Sequence, residues 1–535
     1  MRALLVLAAA SLAATLACSG DDPSRGKADG AACGSGGECQ SALCFQHVCA
    51  SSTPPSASCT PPGTPTVVLG AAIVATEPPP GACVTAVRDP VPAAEWLNLG
   101  DWPVGKLLSF SVPAGTTGFT ILSQAIPGTA VPAIEYGGFL LPNSVVPTDL
   151  KAPDGSLFYS DTDPYPRSGR YDDVTGVLAY YGVWSPISGE FTVPNTSAAL
   201  DLDLTQGELP PGSWTFTVND FARECLSVTG CNGGSMSGTY RVEVLAQPRP
   251  FTSTGTLDLE VYLATDAGGA VPSPLPSAAD AVANPQFTRW VNNLGAYLAK
   301  AGICLGTVTV HDLPPWAKLR YAPGGIVDVS GAGPAPGCDD LSQLFTLGIA
   351  QKRAVHLFLA DELVDGTTGS GLTVLGVDGS IPGPSGAPGT VSGGAVVGVF
   401  DLLGAVATPG ACSAAGAPDV SSCGTDVLSL VAAHETGHWL GLYHTTEATG
   451  THFDSLSDTE TCACLSCAPL PLRGRCAELN SAVTPTFVLN GYCSGQRPRC
   501  GGGRNLMFWL FDDRYAAGEI SRQQGDVVRR NPAVY

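Results

Sequence analysis

The residues best suited to chemistry lie in one run, His434-Glu435-Thr436-Gly437-His438-Trp439-Leu440-Gly441-Leu442-Tyr443-His444, of the form H-E-x-x-H-x-x-G-x-x-H. Two histidines four apart fall on one face of a helix, one above the other, so their imidazoles can converge on a single metal ion. Glu435 follows the first of them and can stand beside the metal's open position, within reach of a bound water. Gly441 can adopt a left-handed backbone conformation at no steric cost. That lets the helix end and the chain turn, bringing His444 back as a third ligand. Three neutral nitrogens leave one tetrahedral position free, the pattern of a catalytic rather than a structural Zn2+ site. Glu435 is then the general base that takes a proton from the attacking water and passes it to the leaving group. The chain has seven histidines, and three of them stand in this run, which makes three unrelated surface histidines the poorer account.

The run resembles the extended zinc signature of the metzincin clan of endopeptidases. That resemblance implies a methionine turn beneath the metal. After the run the chain has one methionine, Met507, in Asn505-Leu506-Met507-Phe508. The resemblance makes Met507 the floor under the histidines and not a ligand; by its residue type alone it is ordinary core filling. Within the clan, the stretch from His438 to His444 with Thr445 after it is most similar to the pappalysin family. Asp458-Thr459 resembles an Asp-Thr element that follows the motif there. One position departs from the pattern. Related enzymes often carry a tyrosine two residues past the methionine, whereas this chain has Trp509, whose indole donates a hydrogen bond but neither ionises nor ligates.

The resemblance covers residues 250–535 and is specific only around the motif. It implies a zinc-dependent endopeptidase acting on a protein or peptide substrate, with His434, His438 and His444 as metal ligands and Glu435 as catalytic base. Two other functions stay open: a surface-anchored binding protein whose metzincin-like domain is inert, and a zinc hydrolase acting on something other than protein.

These residues must be positioned by a fold, and the chain supplies several segments to build it. At 535 residues it exceeds one ordinary domain. Charged residues make up 14%, with 65 glycines and 45 prolines, a composition suited to β-rich, loop-rich extracellular domains. The expected fold is multidomain, with an N-terminal Cys-rich module and an all-β sandwich ahead of an α+β metzincin-like catalytic domain. The expected boundaries are a signal peptide over 1–17, a tether over 18–32, a Cys-rich module over 33–49, a Pro/Ser linker over 50–65, a β-sandwich over 66–248 and the zinc peptidase domain over 250–535. Sandwich strands are predicted at Leu107–Val112, Phe119–Leu122, Trp214–Val218 and Tyr240–Leu245, the third placing Trp214, Phe216 and Val218 on one face. In the second half, strands are predicted at Thr256–Ala264, Ile303–Val310 and Val355–Leu359, and a helix near Leu341–Leu347. Asn284-Pro285 opens another helix, which buries Phe287, Trp290, Leu294 and Leu298 and is closed by Gly302. The active-site helix is predicted over Asp426–Leu440.

Met1-Arg2 and the apolar run Ala3–Ala17 read as an export signal, about 15 residues and too short to remain as a spanning helix. The run ends at Cys18 and resembles a bacterial lipoprotein site, which implies lipidation there and an outer-membrane or cell-surface location; the alternative is a plain secretory signal. Setting Cys18 aside leaves eighteen of the nineteen cysteines, an even number that can pair fully. In an exported chain, Cys33, Cys39, Cys44 and Cys49 are expected to form disulfides rather than a small zinc knot, and Cys225 and Cys231 to pair locally. Cys462, Cys464, Cys467, Cys476, Cys493 and Cys500 fall between the motif and Met507. Disulfides among them would brace the loop that carries the methionine; a second, structural zinc is the alternative. His452 is read as lining the cleft or holding that loop through Asp454, not as a ligand. Asp161, Asp163, Asp172 and Asp173 suit Ca2+ by type, but a solvated acidic loop is the commoner meaning and supports no calcium site. A net charge of −21 argues against nucleic acid, and contact with a membrane is expected through the N-terminal lipid only.

Overall fold

The computed structural model describes residues 44–45, 48–49, 65–80, 82–83 and 96–126, and the greater part of 133–535 outside 160–181, 195–207, 221–230, 267–272, 366–373, 380–388, 400–411, 413–418, 474–486 and 496–499. Expectations for Cys18, Cys33, Cys39, Asp161, Asp163, Asp172, Asp173, Cys225, His452 and Cys476 lie outside the described residues. The chain forms two compact units, Met1–Thr53 and Pro54–Tyr535. In the first, Cys44–Phe45 pairs antiparallel with Val48–Cys49.

The second unit is a mixed α/β protein with several sheets. Over residues 97–248, a five-stranded antiparallel sheet (Gly182–Trp184, Ser188–Val193, Thr116–Ala125, Thr239–Pro248, Leu97–Pro103) faces a four-stranded one (Leu157–Tyr159, Val145–Lys151, Gly212–Asp220, Lys106–Val112). Alternation along each strand sends one set of side chains into the space between the sheets. Phe110, Phe119, Phe191, Trp214, Phe216, Val218, Tyr240 and Val242 fill it. The face predicted for Trp214, Phe216 and Val218 is fully buried.

The second half is organised around a six-stranded sheet. Its strands are β1 (Thr66–Leu69), β2 (Gly255–Leu263), β3 (Ile303–Asp312), β4 (Ala354–Ala360), β5 (Gly376–Asp378) and β6 (Ala395–Gly398). The spatial order is β5-β6-β4-β2-β3-β1, all parallel except β5, which pairs antiparallel with β6 at one edge. β1 is a correction to the expected sandwich boundary. Residues 66–69 pair with 307–310 and belong to this sheet. A four-residue apolar run such as Thr-Val-Val-Leu has strand character but no local signal of which sheet receives it.

Both faces of the sheet are covered, as parallel strands require. On one face, Leu257, Leu259, Val261 and Leu263 of β2 meet α1 (Pro285–Ala299), α2 (Gly424–Trp439) and α3 (Arg522–Arg530) in one core. On the other, Tyr262 and Phe358 pack with Tyr321, Leu344 and Phe345. α1 begins as read: Asn284 caps it by accepting from the Gln286 and Phe287 amides, and Phe287, Trp290, Leu294 and Leu298 are buried. Gly302, at φ +77°, follows its end. α2 is tied to α1 by a buried ion pair. The Arg289 guanidinium donates to both Asp426 oxygens at 2.6 and 2.7 Å, and Asn293 adds a third bond. No helix among the described residues is long and apolar enough to cross a membrane.

Candidate metal centre

α2 delivers His434 and His438 from successive turns. The helix ends after Trp439, and Gly441 has φ +104°, the conformation the motif required. The chain reverses and returns His444 to the first two. The three Nε2 atoms form a triangle with sides of 3.1, 3.1 and 3.2 Å. Nitrogens about 2.05 Å from a shared zinc and separated by these distances would subtend about 98–103° at the ion, close to tetrahedral.

The outer nitrogens explain why the rings stand this way. His434 Nδ1 donates to the Leu506 carbonyl at 2.6 Å, His438 Nδ1 to the Leu442 carbonyl at 2.7 Å and His444 Nδ1 to Glu447 Oε2 at 2.9 Å. A neutral imidazole has one N–H. With that proton on Nδ1, all three Nε2 atoms are lone-pair acceptors aimed at one point. Three acceptors facing each other repel, and a cation between them removes the conflict. Burial and the neighbouring imidazole of His444 push His434 down to about 3 and His438 well below its ordinary range, so both rings are neutral. The donor set therefore fits a divalent ion of zinc type. Among the described residues, these three are the one group of histidine, cysteine and carboxylate atoms close enough to share an ion.

Glu435 and His434 line the same cleft, of about 320 Å3. Burial pushes the Glu435 carboxyl up to about 8, opposed by a hydrogen bond from the Asp378 backbone N–H; a dication nearby would draw it back down. Asp378 lies on the edge strand β5, whose Gly376 passes so near that a Cβ there would stand 2.7 Å from Glu435 Oε1. The other walls are mostly apolar, with Val374, Leu375, Leu430, Val431, Phe508 and Phe511, and carry the polar Asn490 and Asn505.

Met507 is fully buried. A Cβ at Gly437, between the two helical histidines, would stand 2.5 Å from its Sδ. The turn is fixed on both sides: Leu506 O receives His434, and Met507 O receives the Thr445 N–H at 2.9 Å. Asn505 holds the turn from within, accepting from Met507 N at 2.8 Å and exchanging amide hydrogen bonds with Gln524 of α3. Trp509 forms part of the cleft wall, its indole N–H donated to the Val488 carbonyl at 2.7 Å. Asp458 accepts from Ser521 Oγ and the Gln523 amide, both at 2.8 Å, at the start of α3. Thr459 donates to Asp454.

Four described cysteine pairs lie at disulfide distance: Cys83–Cys338, Cys412–Cys423, Cys462–Cys493 and Cys467–Cys500. The last two cross-link the segment between His444 and Met507, as expected of a brace.

Sequence reading assembled the three histidines and Glu435 but missed Glu447, Gly376, Asp378, Asn505 and Gln524. Only Glu447 had a local signal, an acid three residues past the third histidine; the others come from distant elements. No family model matches the chain, and comparison with the curated proteins finds no match.

Proposed function

We propose that this chain is a zinc-dependent endopeptidase with a metzincin-type catalytic region resembling the pappalysins. The observation that carries the reading is the triangle of three Nε2 lone pairs, one of whose histidines, His434, lines a cleft together with the buried Glu435. His434, His438 and His444 would hold the ion. When bound, zinc supplies Lewis acidity and an activated water. Glu435, steadied by the Asp378 N–H, accepts the proton at its carboxylate and returns it to the leaving amine. Among the described residues β5 ends the sheet, and Gly376 on it lines the cleft, so an extended peptide could add to it as a further strand, which favours a peptide substrate. The apolar walls favour an apolar side chain next to the cleaved bond. Met507 would act as a floor for the histidines, filling the space that Gly437 leaves.

The exported location remains part of this proposal, with lipidation at Cys18. Cysteine pairs at bonding distance agree with an oxidising compartment.

Zymography of the full chain on casein and gelatin tests the activity. Clearing that a chelator abolishes and Zn2+ restores is expected. The second reading, an inert binding protein, has one observation in its favour: the Trp509 N–H is given to Val488, so the indole does not stand in for a phenol at the metal. Protein that binds zinc stoichiometrically but clears no substrate would decide for that reading.

A further inference from the structure

The three histidines are not equivalent at their outer nitrogens. Two donate to neutral backbone carbonyls, and His444 alone donates to a carboxylate. A hydrogen bond to an ionised acceptor is roughly twice as strong as one to a neutral acceptor. It transfers electron density through the ring and makes Nε2 the better donor to a metal.

The carboxylate is also held in place. Glu447 follows His444 by three residues and opens a turn in which the Gly450 N–H bonds to the Glu447 carbonyl at 2.8 Å. Gly450 has φ +63°, and a side chain there would run into Val488 and Cys464. The turn is pinned from outside as well. Cys464 N donates to Gly450 O at 3.0 Å, and Val488 N donates to Ala448 O at 2.8 Å. Both partners belong to the cross-linked segment, flanked by Cys462–Cys493 and Cys467–Cys500. The brace that was expected to support the methionine thus also supports the turn bearing Glu447.

Charge completes the case. Three neutral rings do nothing to offset a dication, and an uncompensated charge in a half-buried site is costly. Glu447, held against His444 Nδ1 at 2.9 Å, brings a carboxylate that offsets part of that charge.

We infer that Glu447 is a positioning residue of the metal centre: its carboxylate fixes the Nδ1–H form of His444 and raises the metal affinity of the site. This rests on the zinc reading above, yet it concerns binding rather than turnover.

The test uses the full-length protein stripped of metal, with Zn2+ and Co2+ as the probes. Affinities are measured by competition with a chromophoric chelator for the wild type, Glu447→Gln, Glu447→Ala and Glu447→Asp. A loss of roughly 10–100-fold is expected for Gln and Ala, the range for removing such a partner, with partial recovery in Asp. The visible absorption bands of the Co2+ form should shift in the Gln variant. Thermal unfolding of the metal-free proteins separates this from misfolding; if Gln and Ala fail to fold, the Asp variant's affinity and Co2+ spectrum decide. Affinities within twofold of wild type and an unchanged Co2+ spectrum would overturn the role of Glu447 while leaving the metal centre intact. A wild type that binds neither ion would overturn the centre itself, and this inference with it.

Discussion

Glu435 and Gly376 show how closely one strand approaches the proposed base. The carboxylate accepts from the Asp378 N–H, and the residue two before Asp378 has no room for a side chain. Glu435→Gln keeps the shape of the site and all three ligands but cannot take up a proton. Its turnover should fall roughly 10²–10⁴-fold, with bound metal unchanged by elemental analysis; cleavage at the wild-type rate would refute its role as base. Gly376→Ala should act through geometry. The added methyl would meet Glu435 Oε1 at 2.7 Å and Val431 Cγ1 at 2.8 Å, and displacing a catalytic group by about 1 Å costs on the order of 10²-fold in rate. Steady-state kinetics would register this as a fall in kcat with zinc affinity retained. Normal kcat would mean that Glu435 has room to shift.

At the level of elements, α2 is held less by amphipathic patterning than by what surrounds it. Nearly all of its residues are buried, so its position depends on contacts with β4, β5, β6 and α1. The Arg289–Asp426 pair is the polar part of that packing, with side chains only 2% and 0% exposed. Asp426 accepts four hydrogen bonds: two from Arg289, one from Asn293 and one from the Asp419 amide. Asp426→Ala leaves the guanidinium buried without its partner, for which a loss of about 3–5 kcal/mol is expected, measurable by urea unfolding. A change below 1 kcal/mol would mean that water or another acceptor replaces the carboxylate. The Met507 turn depends on α3 in a similar way, through Asn505 and Gln524. Gln524 is also the third residue of the Ser521 capping box, so one side chain serves both the helix start and the turn. Gln524→Ala should therefore weaken zinc binding as well as stability, and a chelator competition that shows no change would separate the turn from the metal site.

Across the whole molecule, the region from 54 to 535 behaves as one compact unit, and the double-sheet region is joined at specific points to the half that carries the histidine triad. The Gln247 side chain donates to the Val534 carbonyl and accepts from Arg353, while Arg249 donates to the Arg529 carbonyl. Tyr535 exchanges backbone hydrogen bonds with Thr256 at the start of β2. The cross-links matter most at this scale. Loops of 31 and 33 residues closed by Cys462–Cys493 and Cys467–Cys500 restrict the unfolded chain by about 3–4 kcal/mol each in the chain-entropy description. Reduction should lower the unfolding midpoint and, because these bridges hold the segment that pins the Glu447 turn and leads to Met507, release metal before global unfolding. Zinc retained to the end of the unfolding transition in reductant would show that the centre is independent of its brace.

By itself the sequence determined the histidine triad, the glutamate beside it and the helix that carries them, because a four-residue spacing on a helix and a glycine at its end are local geometry. It determined the apolar faces of Trp214–Val218 and of α1 for the same reason, since side-chain period is written along the chain. Only the tertiary structure decided that Thr66–Leu69 crosses to the six-stranded sheet, that Gly376 lies against Glu435, that Gln524 holds the methionine turn and which cysteines meet. Those facts depend on which distant segments become neighbours, and that is settled by burying the faces of the parallel strands together, a many-body outcome with no signature in any single stretch of residues.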